Sequence, residues 1–579
     1  MKSYKCIGID LGTSNSAIAS YEDEQSSILK IDQPYSQGTY QEMDKLASAI
    51  YLPPGAEPVV GHWAKEMSHK QPERSIRSAK SWLCSQQVNR QDAILPWGSD
   101  LIEEKMSPVA ASTMILKKLK ETFDGENVVL TVPASFDETA RRLTIDAAKQ
   151  AGIDDLTLLE EPLAALYSWI AQQKDSWREQ VSDGDLILVC DIGGGTSDFS
   201  LVSVHDEDGE LKLERISVGR HLLLGGDNMD LALAYQARWA LEESGTELDD
   251  WQFTSLLHQV SDAKEKLLSE PSLASVKIGI DSRGSNLFAS AITVDVMQEW
   301  VQSIVLNGFF PLCSKDESPA PSESLGLQEF GLNYESDPAI SKHLAAFLRS
   351  SAKNVLNDQR LKELCGKSFA EDFITPTKVL FNGGVFNSEQ LIERVSAILN
   401  NWSSEAVESL SGNSFNLAVA QGAAFYAQLK ASGEGLRIRS GTSKSFYLGI
   451  ESGAMAIPGF KPPSKGLCLV PQGTEEGVAL RLPKKTFALK AGQKVNFKFY
   501  TSRERAGDQL GDVVSNADKN LEDSFTLSAS IPQLDDNQDQ SYPVYLDAEL
   551  DEMGVMNLKM QHTLSDKHWD LDLDVRQHD

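Results

Sequence analysis

Two short segments built alike constrain this chain more than anything else in it: Asp10-Leu-Gly-Thr-Ser-Asn-Ser16 and Asp191-Ile-Gly-Gly-Gly-Thr-Ser-Asp198. Each follows an apolar run that reads as a buried strand, Tyr4 to Ile9 and Leu186 to Cys190. Each precedes a returning strand, Ala17-Ile18-Ala19 and Phe199 to Val204. A strand ending in Asp, a glycine turn with hydroxyls and a returning strand leave backbone N–H groups facing outward. Such a turn holds phosphate oxygens, because glycine lets the backbone approach closely and take positive φ. The Asp at the strand end offers a carboxylate to a hydrated divalent cation. Two copies in one chain imply two lobes closing on one nucleotide.

At 579 residues the chain exceeds what one core serves, so two to four folding units are expected. The net charge of -30 argues against general nucleic-acid or anionic-membrane binding, so a bound polyphosphate must be held by a local site. The six cysteines are scattered, without a CxxC pair or metal-ligand spacing. Cys6 and Cys190 fall in expected buried strands as small hydrophobes, which fits a reducing compartment. The N-terminus enters the first strand without the apolar core of a signal peptide, and no apolar stretch reaches membrane-spanning length. The expectation is a cytoplasmic protein.

Strand-like and helix-like patterns alternate up to about residue 430, the α/β signature. Val128 to Val132 reads as a strand closed by Pro133, and Ser135-Phe-Asp-Glu138 as a capping box opening a helix that runs to Gly152. Val379 to Phe381 reads as a strand leading into Asn382-Gly-Gly384. Asn387 is the expected N-cap of an amphipathic helix carrying Leu391, Ile392, Val395, Ile398 and Leu399. Cys313 to Asp337, rich in Ser, Pro, Glu and Gly, reads as a mobile surface insertion without chemistry. Residues 431–443 read as a linker. Beyond it period-two alternation takes over, as in Val495/Phe497/Phe499, Phe525/Leu527/Ala529/Ile531, Val544/Leu546/Ala548/Leu550 and Trp569/Leu571/Leu573/Val575. Turns between these runs, one at Asp551 to Gly554, imply an all-β sandwich over 444–579. The polar, Asp-rich stretch 507–523 reads as a long exposed loop.

A nucleotide held between two lobes needs donors from both sides and a cation site. Asp10 and Asp191 open the two turns and are candidates to hold Mg²⁺ through its waters. Thr13, Ser14 and Asn15, beside Gly12, offer donors to one phosphate; Gly193, Gly194, Gly195 and Thr196 offer them from the other lobe, with Thr196 near the terminal phosphate.

In these segments the chain resembles the 70-kilodalton heat-shock protein family, of DnaK, bacterial type, within the actin/sugar-kinase/heat-shock ATPase fold. Ile7 to Ser16 resembles that family's opening, and Val132-Pro-Ala-Ser-Phe136 with Arg141 its subdomain crossover. Glu160-Glu-Pro-Leu-Ala-Ala165 resembles another of its elements, Asp191 to Asp198 its second phosphate hairpin and Leu224-Gly-Gly-Asp-Asn-Met-Asp230 a further turn. Ser269 with Lys264 or Lys266 resembles the adenosine-contacting helix, Asn382-Gly-Gly-Val385 the second adenosine loop, and Ala418 to Ala424 the closing helix. The resemblance runs through most of residues 4 to 428. It implies two duplicated ribonuclease-H-like lobes over 1–430 and slow ATP hydrolysis, with ATP or ADP, Mg²⁺ and, as a further candidate, K⁺.

The resemblance also implies site roles. Lys80, in Ile76-Arg-Ser-Ala-Lys80, would neutralise the transferring phosphate. Asp198 would orient the attacking water, with Asp10 and Thr196 as partners, and Glu161 would stand in the metal's outer shell. Gly225, Gly226, Asp227, Lys266, Ser269, Gly383, Gly384 and Val385 would complete the nucleotide contacts. The chain departs from the family pattern in having Ser135 for an aromatic and Asp227 for a glutamate. Its linker lacks a Leu-rich acidic run, and the family's helical lid and acidic tail are missing from the sequence.

Three readings follow. The first is a lidless chaperone-type ATPase gripping extended polypeptide through its β domain, with J-domain and nucleotide-exchange partners and neither nucleic acid nor membrane. The second is a nucleotide-sensing adaptor with one dedicated protein partner, favoured by the divergent linker. The third, a small-molecule kinase or actin-like filament protein, is opposed by the Arg77-Ser-Ala-Lys80 element and the β domain.

Overall fold

The computed structural model describes residues 2–4, 6–85, 88–280, 292–321, 332, 334–410, 412, 415–433, 438–439, 441–442, 444–450, 464–475, 478–482, 485–490, 494–530, 541–550 and 556–571. The chain divides into two compact units. The first comprises Met1–Lys212, Val218–Arg349 and Thr375–Arg437; the second comprises Leu213–Ser217, Ser350–Ile374 and Ile438–Asp579.

The first unit is built on two sheets of like design. In one, Ile7–Asp10 runs antiparallel to Asn15–Glu22, which pairs with Gln25–Ile28. On its other side Ile7–Asp10 runs parallel to Val128–Val132, and that strand parallel to Leu156–Glu160. In the other, Leu186–Ile192 runs antiparallel to Ser197–Glu207 and parallel to Lys378–Asn382, which runs parallel to Glu408–Ser409. The outer hairpins even share a turn. Asp23 and Glu24 in one, and Asp208 and Gly209 in the other, occupy two-residue turns with both φ angles positive. That backbone matches the right-handed twist of the flanking strands.

The central strands Ile7–Asp10, Val128–Val132 and Leu186–Ile192 are apolar and buried almost without alternation, as strands covered on both faces must be. Part of the cover comes from two small-residue helices, Glu161–Gln173 and Ala418–Ser432. Their approach depends on two glycines. A Cβ on Gly8 would lie 2.2 Å from Ala420 O, and one on Gly422 would lie 1.7 Å from Ala164 O. No side chain fits at either contact, so these backbones pack directly against each other.

Several expected boundaries move. Helix Glu138–Gln150 is capped by Asp137, whose carboxylate accepts from Ala140 N at 2.7 Å, and not by Ser135. The bidentate hold of Arg90 on Asp137 fixes that carboxylate, and Ser135 is turned elsewhere. Helix Glu389–Trp402 starts after Ser388, because the Asn387 amide donates back to Gly384 O within a 3₁₀ turn, Gly384–Asn387. The described ends of the expected insertion are tied down: Trp402 Nε1 donates to Cys313 O, and buried Asp337 accepts from Ala320 N and Ala339 N.

In the second unit two five-stranded sheets occur. One orders Val513–Ser515, Lys465–Val470, Ser445–Ile450, Lys494–Ser502 and Asp523–Ser530. The other pairs Ser541–Leu550 with Ala479–Arg481, Phe487–Lys490 and Met556–His562, and the last of these with His568–Leu571. Phe446, Leu467 and Phe499 of the first sheet share one apolar cluster with Val544, Leu558 and Trp569 of the second. Residues 507–523 are not the bare loop expected. They contain the strand Val513–Ser515 and a helical turn, Ala517–Asn520, and Val514, Ala517 and Leu521 enter a core with Tyr447, Cys468 and Tyr500. Their acidic residues obscured this by supplying anchors instead: Asp508 accepts from Tyr447 Oη, and Asp518 from Tyr500 Oη. Ile531, the Asp551 to Gly554 turn, Leu573 and Val575 lie outside the described residues. Within this unit Arg439 forms a single parallel bridge with Glu214, donating its N–H to Leu213 O and accepting from Arg215 N, both at 2.9 Å.

Candidate nucleotide site

The two Asp-Gly turns meet tip to tip inside the first unit. Gly194 faces Ser14 so closely that a Cβ there would lie 2.6 Å from Ser14 Oγ, and a Cβ on Gly195 would lie 2.8 Å from Thr13 Cγ2. A Cβ at either position would push aside the Ser14 or Thr13 side chain that faces it. Gly12 makes its own turn possible, since a Cβ would lie 2.0 Å from Asn15 O. Ser48, which the sequence did not single out, pins this first turn by donating to Gly12 O at 2.7 Å while its N–H donates to Ser14 O at 3.0 Å. The second turn closes through Gly193 N–H donating to Thr196 O.

Two more expected segments join the second turn. Gly226 N and Asp227 N donate to Gly193 O and Gly194 O at 3.0 and 2.7 Å, opening helix Gly226–Glu243 directly against the turn. Ser197 Oγ holds the preceding residue by donating to Leu224 O at 2.7 Å. Gly383 has positive φ, and a Cβ there would lie 2.2 Å from Ile192 O; Val385 lies beside Gly226, and Gly384 beside Asn416. Asn382 Nδ2 donates to Asp191 Oδ2 at 2.9 Å. Asn15 opens the returning strand, exposed. Lys266 and Ser269 are exposed on the last turn of helix Asp250–Ser269, where Ser269 Oγ donates to Lys266 O. Lys264, the other lysine of that helix, is committed to Asp230 at 2.6 Å.

The floor of the site is a cluster of buried charges. Lys80 is ion-paired and hydrogen-bonded to Glu161, and Thr131 Oγ1 donates to Asp10 Oδ1 at 3.3 Å. Burial raises the pKa of Asp10 to about 7, the neighbouring Glu161 charge adding to the effect and Lys80 and Thr131 opposing it. Burial likewise raises Asp191 to about 8, with Glu161 adding to it and the Asn382 amide opposing it. At Lys80 burial works against the charged form, but Glu161, Asp10 and Asp198 outweigh it and raise the pKa. One ammonium therefore serves several carboxylates. Ser14 Oγ, at the tip of the first turn, is buried with no hydrogen-bond partner. A surplus of carboxylates that burial holds near neutral and a buried hydroxyl awaiting a partner both fit a cation and a phosphate at this place.

Asp198 has company that the sequence did not reveal. His221 Nδ1 lies 3.0 and 3.2 Å from its two carboxylate oxygens, and Ser135 Oγ donates to Oδ1 at 3.3 Å. His221 stands three residues ahead of the Leu224-Gly225-Gly226 turn, and only the strand register brings it to Asp198.

Two sheets of matching strand order, each ending its central strand in an Asp-Gly turn, define the two-lobed ATPase architecture shared by actin and the heat-shock ATPases. The family model for Hsp70 protein matches residues 6–307. The chain belongs to the Hsp70 family, whose members are chaperone-type, ATP-binding proteins that use ATP or ADP with Mg²⁺. Among the described residues, no helix is long and apolar enough to cross a membrane.

Proposed function

We propose that this chain binds ATP between its two Asp-Gly turns, hydrolyses it slowly and uses that turnover to control a grip on extended polypeptide. In this reading residues 1–430 are the nucleotide-binding part, 431–443 the linker and 444–579 the client-binding part, working in the cytoplasm with J-domain and nucleotide-exchange partners. The observation that carries it is the meeting of the two turns over the buried Lys80–Glu161 pair.

Each residue has a chemical task. Backbone N–H groups around Gly12, Thr13, Ser14 and Asn15, and around Gly193, Gly194, Gly195 and Thr196, bind phosphate oxygens, with the Ser14 hydroxyl finding its missing partner there. Gly225, Gly226 and Asp227 extend the second cradle at a helix N-terminus. Lys80 neutralises charge on the terminal phosphate, and Glu161 holds Lys80 in place. Asp198 accepts a hydrogen bond from the attacking water and aligns it, with Thr196 beside it. Lys266, Ser269, Gly383, Gly384 and Val385 take the adenosine. Mg²⁺, held through its waters by Asp10, Asp191 and Glu161, would supply charge neutralisation at the phosphates, and K⁺ is a further candidate. In the β domain, main-chain pairing and apolar side chains give an extended peptide its binding mode.

The test is a panel of apolar heptapeptides measured by fluorescence anisotropy with ATP, with ADP and without nucleotide. Binding that weakens with ATP is expected. A panel that binds in none of these states would overturn the client-binding half of the reading.

A further inference from the structure

We propose that His221 is a positioning residue for hydrolysis, fixing Asp198 as a rigid acceptor for the attacking water; the proposal rests on the ATPase reading above. Backbone pairing carries the argument. Ser197 and Leu222 form an isolated antiparallel bridge, Ser197 N donating to Leu222 O at 3.0 Å and Leu222 N to Ser197 O at 3.3 Å. One residue further along each strand, this register sets Asp198 opposite His221. Next to a doubly hydrogen-bonded pair, opposed residues form the non-hydrogen-bonded kind, where side chains approach most closely. Gly219 N donates to Phe199 O at 2.8 Å, one residue out of that register, so the pairing ends just beyond Asp198 and His221 while the backbone stays tied on both sides of them. His221 thus reaches Asp198 because two backbones fix it there, and not through a flexible contact.

The chemistry follows from the geometry. Asp198 and His221 side chains are 9% and 12% exposed, so little water competes for the carboxylate. A carboxylate only accepts hydrogen bonds, so His221 meets it with Nδ1–H donating. Ser135 Oγ gives a second donor to Oδ1, and the ring of Phe136 meets His221 edge-on, with centroids 6.2 Å apart and planes at 87°. These contacts come from the segment joining Val132 to helix Glu138–Gln150, so the Asp198–His221 pair is held from two sides. Two donors on one edge restrict rotation of the carboxylate and leave its remaining lone pairs aimed at a fixed point. Aligning the nucleophile is most of what catalysis of phosphoryl transfer asks of a protein.

Three substitutions separate positioning from mere packing. His221→Ala removes the donor, His221→Asn keeps a donor near the Nδ1 position, and His221→Gln moves it to the Nε2 position. Each is assayed on the full-length protein for single-turnover ATP hydrolysis with Mg²⁺ and, separately, for equilibrium ATP binding. The expected result is a fall in the hydrolysis rate constant of about 10- to 100-fold in His221→Ala and His221→Gln, the cost of a misplaced nucleophile. ATP affinity should stay unchanged, and His221→Asn should recover most of the rate. Thermal melting of all three variants with ATP bound reports folding independently. A wild type that turns over and loses activity in Asp198→Asn, yet keeps its rate in His221→Ala, would overturn the His221 role alone. Equal rates in His221→Asn and His221→Gln would also overturn it. A wild type with no turnover would overturn the ATPase reading, and the role of His221 with it.

Discussion

Removing the Lys80 ammonium should destabilise the first unit more than any loss of contact area would suggest. The Lys80 side chain is 7% exposed and pairs with Glu161, itself 12% exposed, and its charge is also felt by Asp10 and Asp198. Lys80→Ala leaves these carboxylates buried without their cation. Breaking a buried ion pair from one side costs about 3–5 kcal/mol, mostly because the surviving charge stays desolvated. The loss should shrink as pH falls, because Asp10, whose pKa burial raises to about 7, is then protonated and no longer needs a counter-ion. Glu161→Gln should rescue part of it, with a coupling energy of about 2 kcal/mol in the double-mutant cycle. The assay is urea unfolding without nucleotide at pH 8 and pH 5.5, followed by tryptophan emission. Trp82, two residues from Lys80, packs against Trp97 with ring centroids 4.7 Å apart and planes tilted by 33°, and reports on this neighbourhood. A Lys80→Ala protein within about 1 kcal/mol of wild type, the range of an exposed pair, would refute the reasoning.

Three other outcomes test separate parts of the account. Asp191 has a folded pKa raised from 3.8 to about 8, and Asp10 one raised to about 7, so both bind protons more tightly folded than unfolded. Their contribution is full below about pH 4 and is lost as pH rises through 7 to 8; nucleotide-free melting temperature should therefore carry a component that falls across that window, flattened in Asp191→Asn and offset by Mg²⁺ with ATP. Gly422→Ala should cost at least about 1–3 kcal/mol by equilibrium unfolding, because its Cβ would lie 1.7 Å from the backbone oxygen of Ala164; a neutral result would mean the helix crossing is not as close as described. Ala517→Asp should destabilise the second unit by about 2 kcal/mol or more, since Ala517 is fully buried in a core with Tyr447 and Tyr500; no effect would return residues 507–523 to the status of an exposed loop.

The sequence carried the two turns and their strands because both features are local: an apolar run, an Asp and glycines within a few residues. The strand Lys378–Asn382 was legible for the same reason, whereas helix Ala418–Ser432 came only from the resemblance of Ala418 to Ala424. What escaped depended on register and competition. Ser135 looked like a cap, but Asp137, held by Arg90, caps more effectively and frees the serine for Asp198. Ser48 and His221 carry no local signature, and each becomes part of the site only when a distant strand is laid beside it. The acidic stretch 507–523 misled because composition is averaged, whereas Val514, Ala517 and Leu521 act singly. Lys264 and Lys266 are equivalent by pattern; the pairing of Lys264 with Asp230 leaves Lys266 the exposed one.

The central claim, hydrolysis of ATP where the two turns meet, is tested most directly by single-turnover hydrolysis with Mg²⁺ and K⁺ in the wild type, Lys80→Ala and Asp198→Asn. Slow turnover in the wild type, lost in both variants while Asp198→Asn still binds ATP, is the predicted result. Tight ATP binding without turnover in the wild type, or turnover that survives both substitutions, would contradict it.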